Sequence, residues 1–272
     1  MSRKNTKSLS YFGFRYIKPS IKLKEFIDCY WFINTSNNQV VNSTEYLPPD
    51  GGMGIILNYG DPLHYDTTPV FETCILDGTN TITRELQLGE TLNAIGIRFK
   101  ITGASLFLTE PLNDLKNETL LLRDAGIKNT TQLYYKLGTT KTDQAKVTVI
   151  ENWLLRAIKT NKSVSHIVTT SIKLIRQHGE LLSVKSIADK LGYSQRTIER
   201  LFKLQVGMSP KEYSRVLKIE YARSYIKYKK EMFFTDIAYQ LNYYDQAHFI
   251  NQFKSVVGIT PGKYSQKKRG NI

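Results

Sequence analysis

The side chains in this sequence that are best suited to bind a ligand lie in a short amphipathic segment near residue 200. Four polar residues recur at the spacing i, i+3, i+4 and i+7, which places them on one helix face: Arg196, Glu199, Arg200 and Lys203. Ile198, Leu201 and Phe202 form the opposite, apolar face. Guanidinium groups donate paired hydrogen bonds to phosphates and to guanine. The pattern predicts a packed helix whose outer face contacts nucleic acid.

The same pattern occurs again about fifty residues further along the chain. Five residues superpose on the first copy: Phe202 on Phe253, Lys203 on Lys254, Gly207 on Gly258, Pro210 on Pro261 and Tyr213 on Tyr264. The outward positions of the second copy carry other side chains: Ala247, Ile250, Asn251 and Lys254, with Gln246 and His248 at the edges. Asparagine can pair with adenine, whereas alanine or isoleucine can contact a thymine methyl group. The two faces are therefore expected to read different sequences.

Each copy has the signals of two helices joined by a tight turn. Ser183 is expected to cap a helix that begins at Val184, Gly192 ends it in a left-handed conformation, and Ser194 caps the next helix. Three residues are expected in the same roles in the second copy: Thr235, Asn242 and Asp245. The two motifs are thereby placed at about 184–205 and 235–257.

A longer helix is predicted between the copies, from Pro210 to about Lys229. Ser209 as N-cap and proline at the first helical position form a good start signal. Twenty helical residues span about 30 Å, which is close to the roughly 34 Å of one duplex turn. Such a spacer would set two recognition helices into successive major grooves.

These motifs together resemble the paired helix-turn-helix domain of the AraC/XylS family of bacterial transcription regulators. The order I-A, L-G-Y-S, I-x-R-L-F-K, G-x-S-P-x-x-Y, then D-I-A, D-Q-A-H-F-I-N-Q-F-K and G-I-T-P-G-K-Y carries the resemblance, over roughly residues 165–267. It implies a seven-helix reader of double-stranded DNA that binds as a monomer to asymmetric sites beside RNA polymerase. The predicted DNA contacts are Ser194, Gln195, Arg196, Glu199, Arg200, Lys203, Gln246, Ala247, His248, Ile250, Asn251 and Lys254.

The distribution of charge supports a nucleic-acid partner for the C-terminal region. The chain of 272 residues has a formal net charge of +14. Residues 171–272 hold 19 Lys and Arg against 8 Asp and Glu, whereas residues 1–170 hold 19 against 16. Neutralising six phosphates would give log K a slope of about −5 against log[salt].

The N-terminal half has short strand signals, so the predicted fold class is α+β. Strands are expected at 53–59, 70–76, 85–88 and 94–100 in a small antiparallel sheet or barrel. The order Y-L-P-P-D-G, I-I-L-N-Y-G and G-I-R-F-K-x-T-G-A resembles a β-rich domain found before the same DNA reader in some regulators. That resemblance implies a sensor of a small-molecule effector. Four aromatic residues are either plain core or the lining of its pocket: Trp31, Tyr46, Tyr59 and Phe99.

Two helices are expected between the strands and the reader. The first starts at Thr130-Thr131 and ends at Gly138, and the second runs from Thr142 or Asp143 through Ile158. The apolar stripe of the second either packs on its own sheet or pairs with a second chain as a homodimer.

The expected domains are 1–125 (β-rich sensor), 126–160 (helical segment) and 161–272 (DNA reader). Residues 159–165 form the expected linker, through which the sensor would act on the reader.

Catalytic, metal and cofactor sites find little support in the sequence. His64 is the only histidine before His166, and Cys29 and Cys74 lie far apart, so neither a metal site nor a cofactor is predicted. Residues 1–10 lack an apolar signal peptide core and no run is long enough to span a membrane, so a cytoplasmic protein is expected.

Taken together, the sequence predicts a non-enzymatic, DNA-binding transcription regulator, with activation as the expected outcome of binding. Two other interpretations stay open. One is a regulator whose N-terminal domain serves only assembly. The other is an enzyme or DNA-repair protein that uses the paired reader for targeting.

Overall fold

A computed structural model describes residues 13–35, 43–66, 68–71, 73–158, 162–178, 182–228 and 233–269. The strands in these residues are β1 (Arg15–Ile17), β2 (Ile27–Asn34), β3 (Thr44–Leu47), β4 (Gly54–Asn58), β5 (Leu63–Tyr65), β6 (Thr68–Val70), β7 (Cys74–Asp77), β8 (Arg84–Gln87), β9 (Asn93–Phe99) and β10 (Thr119–Leu121). The helices are α1 (Thr130–Thr139), α2 (Asp143–Ala157), α3 (His166–His178), α4 (Val184–Leu191), α5 (Gln195–Val206), α6 (Pro210–Tyr228), α7 (Phe234–Gln240), α8 (Gln246–Val257) and α9 (Pro261–Arg269). Two short 3-10 turns lie at Gly103–Leu106 and Leu112–Leu115.

Two antiparallel sheets form the β-rich part. The larger has the order β1-β2-β9-β4-β7-β10 and the smaller β3-β8-β5-β6. The smaller sheet packs on one face of the larger one, while α1 and α2 pack on the other face. Every residue of β4 is buried as a result, which explains its unbroken apolar run Ile55-Ile56-Leu57.

Helix α2 uses its apolar stripe within the chain. Val147, Ile150 and Leu154 are buried in the core that the larger sheet forms with the helices. Of the two alternatives for this stripe, the structure shows packing on its own sheet. A homodimer therefore stays a prediction, and this stripe is not its interface.

Several local boundaries differ from the expectations. Gly138 does not end α1, which continues to Thr139; a Cβ on Gly138 would lie 3.3 Å from the Tyr59 ring, so the small residue serves close packing. The single strand expected at 70–76 is two strands, β6 and β7.

Thr235 does not cap α7, because the helix begins earlier, at Phe234. The carboxylate of Asp236 instead accepts the N–H of Phe233 at 3.3 Å.

The C-terminal helices form two motifs around a shared connecting helix. We call α4 and α5 the first motif, and α7 and α8 the second motif. Tyr213 and Val216 of α6 pack with the first motif, whereas Ile219, Ala222 and Ile226 pack with the second. The predicted α+β class, with strands followed by paired helix-turn-helix motifs, is confirmed. The domain boundaries stay a prediction, and residues 1–10, which carried the signal-peptide argument, lie outside the described residues.

Candidate nucleic-acid interface

The first motif is built from the caps that the sequence predicts. The hydroxyl of Ser183 accepts the N–H of Ser186 at 3.0 Å, and that of Ser194 accepts the N–H of Thr197 at 3.1 Å. Between the two helices Gly192 has φ +73°, the left-handed conformation that glycine adopts without strain. These contacts fix the angle at which α5 leaves the turn.

Helix α5 presents a polar face and buries its apolar one. Ile198 and Phe202 are buried in the motif core, while five of the predicted contacts are exposed: Ser194 at the N-cap, Gln195, Arg196, Arg200 and Lys203. Glu199 is half-buried and accepts the side-chain N–H of Gln195 at 2.9 Å. This face therefore offers two guanidinium groups and one ammonium group to a polyanion, with its single carboxylate engaged locally.

The second motif has the same construction with different outward chemistry. Asn242 has φ +55° in the turn, and Asp245 accepts the N–H of His248 at 2.7 Å as the cap of α8. Five of its predicted contacts are exposed: Gln246, Ala247, His248, Asn251 and Lys254. Ile250 is only partly exposed, because it packs against the core of the second motif. The outward face is thus less charged than that of the first motif.

A buried lysine that the sequence analysis did not identify supports the second turn. Lys218 of α6 is 7% exposed, and its ammonium group donates to the carbonyl of Asn242 at 3.2 Å. The same group lies 3.8 Å from the centre of the Tyr243 ring. The sequence held one sign of this role, because Lys218 lies on the apolar side of α6 and lysine is rarely buried unless it has a partner.

Helix α6 is held firmly at its first turn. Glu212 accepts the N–H of Ser209 at 2.7 Å, and the Ser209 hydroxyl accepts the N–H of Glu212 at 3.2 Å, a reciprocal capping box. Arg176 donates to the hydroxyl of Tyr213 at 2.8 Å, and burial raises the pKa of Tyr213 to about 12. With 19 residues the helix is about 28 Å long. It is the rigid spacer that the sequence predicts.

The four aromatic residues proposed for a ligand pocket do not meet in one place. Trp31 stacks on Phe14 between the two sheets. Tyr59 and Phe99 lie on the opposite face of the larger sheet, with Tyr59 stacked on Tyr134 at 4.2 Å. Tyr46 is on the smaller sheet and is 49% exposed. The sheet separates these side chains, so they do not line a common cavity.

A cavity of about 690 Å³ lies instead beside α1 and α2. Its apolar wall includes Phe107, Leu133 and Trp153, and the Trp153 indole donates to the carbonyl of Lys128 at 3.3 Å. Three cations line it, namely Lys128, Lys136 and Arg156, and no lining residue is acidic. Its lining residues come from separate segments of the sequence. Only the basic side chains on the two amphipathic helices could have indicated this cavity from the sequence.

Two further features are not found in the described residues. No group of three or more His, Cys, Asp and Glu side chains is placed to hold a metal ion there. Among the same residues, no helix combines the length and the apolar composition that a membrane span requires.

Two domain families match the chain. Residues 187–267 match the family described as a helix-turn-helix domain, and residues 15–121 match a domain of unknown function, DUF6597. The second match covers the β-rich part from β1 to β10.

Curated relatives match about a third of the chain. An uncharacterized HTH-type transcriptional regulator, YtdP of Bacillus subtilis, is 36% identical over 88 residues, which are 32% of this chain and 11% of that protein. The HTH-type transcriptional activator RhaS of Citrobacter koseri is 39% identical over 77 residues, 28% of this chain and 27% of that protein. The matched region therefore spans a minor part of each relative.

Solved structures also resemble the chain. The C-terminal domain of AraT, a response regulator from Geobacillus stearothermophilus, is 25% identical over 39% of this chain and 88% of that one, with a TM-score of 0.37. ToxT from Vibrio cholerae is 14% identical over 93% of this chain and 96% of that one, with a TM-score of 0.44.

Proposed function

We propose that this chain, whose residues 187–267 form an AraC-type helix-turn-helix domain, is a cytoplasmic transcription regulator that binds specific double-stranded DNA. The observation that carries the proposal is the pair of capped recognition helices, α5 and α8, each with an exposed polar face. One continuous helix, α6, joins them. Activation is the proposed outcome, by analogy with the RhaS activators, and RNA polymerase is a proposed partner.

Each recognition helix has its own proposed role on DNA. In α5, Arg200 reads guanine and Arg196 contacts a base or a phosphate. In α8, Asn251 pairs with adenine while Ala247 and Ile250 face thymine methyl groups.

The other predicted contacts bind the phosphate backbone. Four of them lie at the helix N-termini, which face the phosphates: Ser194, Gln195, Gln246 and His248. Lys203 and Lys254 bind phosphates and set the affinity without selecting a sequence.

Selection from a random DNA pool by the full-length protein tests this function. We expect an asymmetric motif with two fixed patches about one helical turn apart. The experiment is repeated at several salt concentrations, since phosphate contacts make affinity fall steeply with salt. Recovery of no motif at any salt concentration would contradict sequence-specific binding.

Control by a small molecule is part of the proposal, with the cavity beside α1 and α2 as its site. Three cations, no acidic lining residue and an apolar wall around Trp153 suit an organic anion with an apolar body. A volume near 690 Å³ is within the usual range for ligand sites. Arg156 and Ala157 of the lining end α2, so an occupant would touch the end of the helix that precedes the reader.

Tryptophan fluorescence can test the cavity directly. Trp31→Phe leaves Trp153 as the one tryptophan of the chain. We expect 4-phenylbutyrate to quench it saturably, and Lys128→Gln/Arg156→Gln to weaken that binding at least about tenfold by removing two charges. Lys141→Gln, an exposed lysine outside the lining, is the matched control. Equal binding of the neutral 4-phenylbutyramide would contradict an anion site.

A further inference from the structure

One segment of the β-rich part contacts both recognition helices. Residues 77–84, which we call the tie segment, leave β7 of the larger sheet and enter β8 of the smaller one. The hydroxyl of Thr79 donates to the carbonyl of Val206, in the last turn of α5, at 3.1 Å. Thr83 donates its backbone N–H and its hydroxyl to the carbonyl of Val256, in the last turn of α8, at 2.7 and 2.9 Å.

These bonds satisfy groups that a helix cannot satisfy by itself. The last four carbonyls of an α-helix have no partner within the helix. Thr79 is fully buried against Val206, so the bond at that end is shielded from water. The contact is close, because a Cβ on Gly207 would lie 2.7 Å from the Thr79 hydroxyl and 3.0 Å from the carbonyl of Leu112. The β-rich part thus completes the C-terminal end of each recognition helix.

The tie segment is itself fixed to the β-rich part. The N–H of Thr81 donates to the side chain of Asn117 at 2.8 Å, and the N–H of Asn117 donates to the carbonyl of Thr79 at 3.0 Å. Arg84 donates to the carbonyl of Asn117 at 3.0 Å. Asn80 donates to the carboxyl of Asp77 at 3.1 Å. These hydrogen bonds hold the tie segment in one position relative to the β-rich part.

A second contact fixes the same face of the reader beside the first motif. The ammonium group of Lys116 lies 2.9 Å from the carboxylate of Glu212, in the first turn of α6. This ion pair follows the second 3-10 turn, which packs on α5. The first motif is therefore seated on the β-rich part by α5 and α6 together.

The length of the tie segment limits the separation of the two helix ends. Four residues of extended chain reach at most about 14 Å, so the carbonyl oxygens of Val206 and Val256 lie within roughly 25 Å of each other. The two motifs have separate apolar cores that share α6 alone. The tie segment is thus a second, independent restraint on their relative position.

We propose that the tie segment sets the spacing and orientation of α5 and α8, and so determines which separation of two half-sites the protein reads. This inference rests on the proposed DNA-binding function. Holding both helices in place before binding removes an ordering cost from the second contact. The β-rich part then acts on DNA recognition through Thr79 and Thr83, in addition to the linker that precedes α3.

The test uses full-length protein and the site that the wild-type protein selects. Thr79→Val/Thr83→Val removes both hydroxyl donors at nearly constant side-chain volume. We expect affinity for the full site to fall about five- to tenfold, because the less restrained helices must then be ordered on binding. We expect affinity for a duplex with one half-site scrambled to stay unchanged, because the faces of α5 and α8 are intact.

Spacing is measured with duplexes that carry one or two base pairs added or removed between the half-sites. The wild-type protein should bind one spacing best, and the double variant should bind neighbouring spacings with nearly equal affinity. Thr83→Val alone, at a partly exposed position, is the milder variant, and Thr148→Val on α2 is the control away from the reader.

Two outcomes would overturn the tie. An unchanged spacing profile in a folded double variant would show that the hydroxyl bonds of Thr79 and Thr83 do not set the spacing. Tighter binding of the full site by the variant would show that the segment opposes DNA binding. Failure of the wild-type protein to select any site would instead contradict the proposed function, before the variants are compared.

Discussion

The two helix-turn-helix motifs share one backbone plan and differ in their outward chemistry and in how their recognition helices end. In the first motif, Arg196 and Arg200 are exposed on α5, and Gly207 after the helix is buried against the β-rich part. In the second motif the face of α8 is nearly neutral, and Gly258 has no atom of another segment within 4 Å of its Cβ position. The comparison indicates that the first motif is the more charged reader and that its helix end packs more closely on the β-rich part.

The largest expected effect tests what the motifs have in common. Phe202 and Phe253 occupy equivalent positions, and both are fully buried. Each alanine variant is expected to lose about 3–5 kcal/mol of unfolding free energy, because it leaves a cavity in its own core. Urea unfolding of the two variants measures this loss. A much smaller loss for either one would show that the two cores are not equivalent.

The next prediction separates the two helix ends. Gly207 and Gly258 have φ values of +86° and +84°, so alanine is strained equally at both positions. Gly258→Ala is expected to cost about 1 kcal/mol from backbone strain alone. Gly207→Ala is expected to cost about 2–3 kcal/mol, because the added methyl group also displaces Thr79 and Leu112. Thermal unfolding of the two variants measures the difference in unfolding free energy. Equal losses would contradict close packing of the first motif against the β-rich part.

Base reading is compared at Arg200 and Asn251, which are equivalent positions. Arg200→Ala is expected to weaken binding by about 1–3 kcal/mol and to relax one guanine position of the site. Asn251→Ala is expected to relax an adenine position about one helical turn away, with a loss near 1 kcal/mol. Binding to single-substituted duplexes measures both effects. A uniform loss on every sequence would assign the residue to the phosphate backbone instead.

The smallest expected effect concerns the equivalent lysines, Lys203 and Lys254. Each glutamine variant is expected to weaken binding to all sequences alike and to reduce the salt slope by about 1. Affinity measured from 50 to 200 mM salt tests this prediction. A change of sequence preference in either variant would show that the lysine reads a base.

Local chemistry made the reader predictable from the sequence. Ser183, Ser194 and Asp245 cap the helices that they were expected to cap, since a side-chain acceptor acts within three residues of its donor. Gly192 and Asn242 have the expected positive φ. Thr235 failed as a cap because the helix begins at Phe234, so Thr235 lies inside its first turn. Strand positions were predicted well where an apolar run was long, as in β4 and β9, and poorly near β6.

Pocket residues were beyond the reach of the same reasoning. Aromatic residues mark buried positions, but strand alternation determines which face of a sheet each one occupies, and Trp31 and Phe99 lie on opposite faces. The cavity lining combines residues from 107 to 157 that meet only when α1 and α2 pack on the sheet. No periodicity in the sequence reports that meeting.

The sequence by itself determined two capped motifs, their spacer helix and the charge that favours DNA, because caps, turns and amphipathic stripes act over a few residues. The tertiary structure alone decided how the motifs are held to the rest of the chain. The bonds from Thr79 to Val206 and from Thr83 to Val256 join residues 127 and 173 positions apart. A threonine in a loop has the same local signature whether its hydroxyl meets water or a helix end, so only the packing of the β-rich part against the reader distinguishes the two.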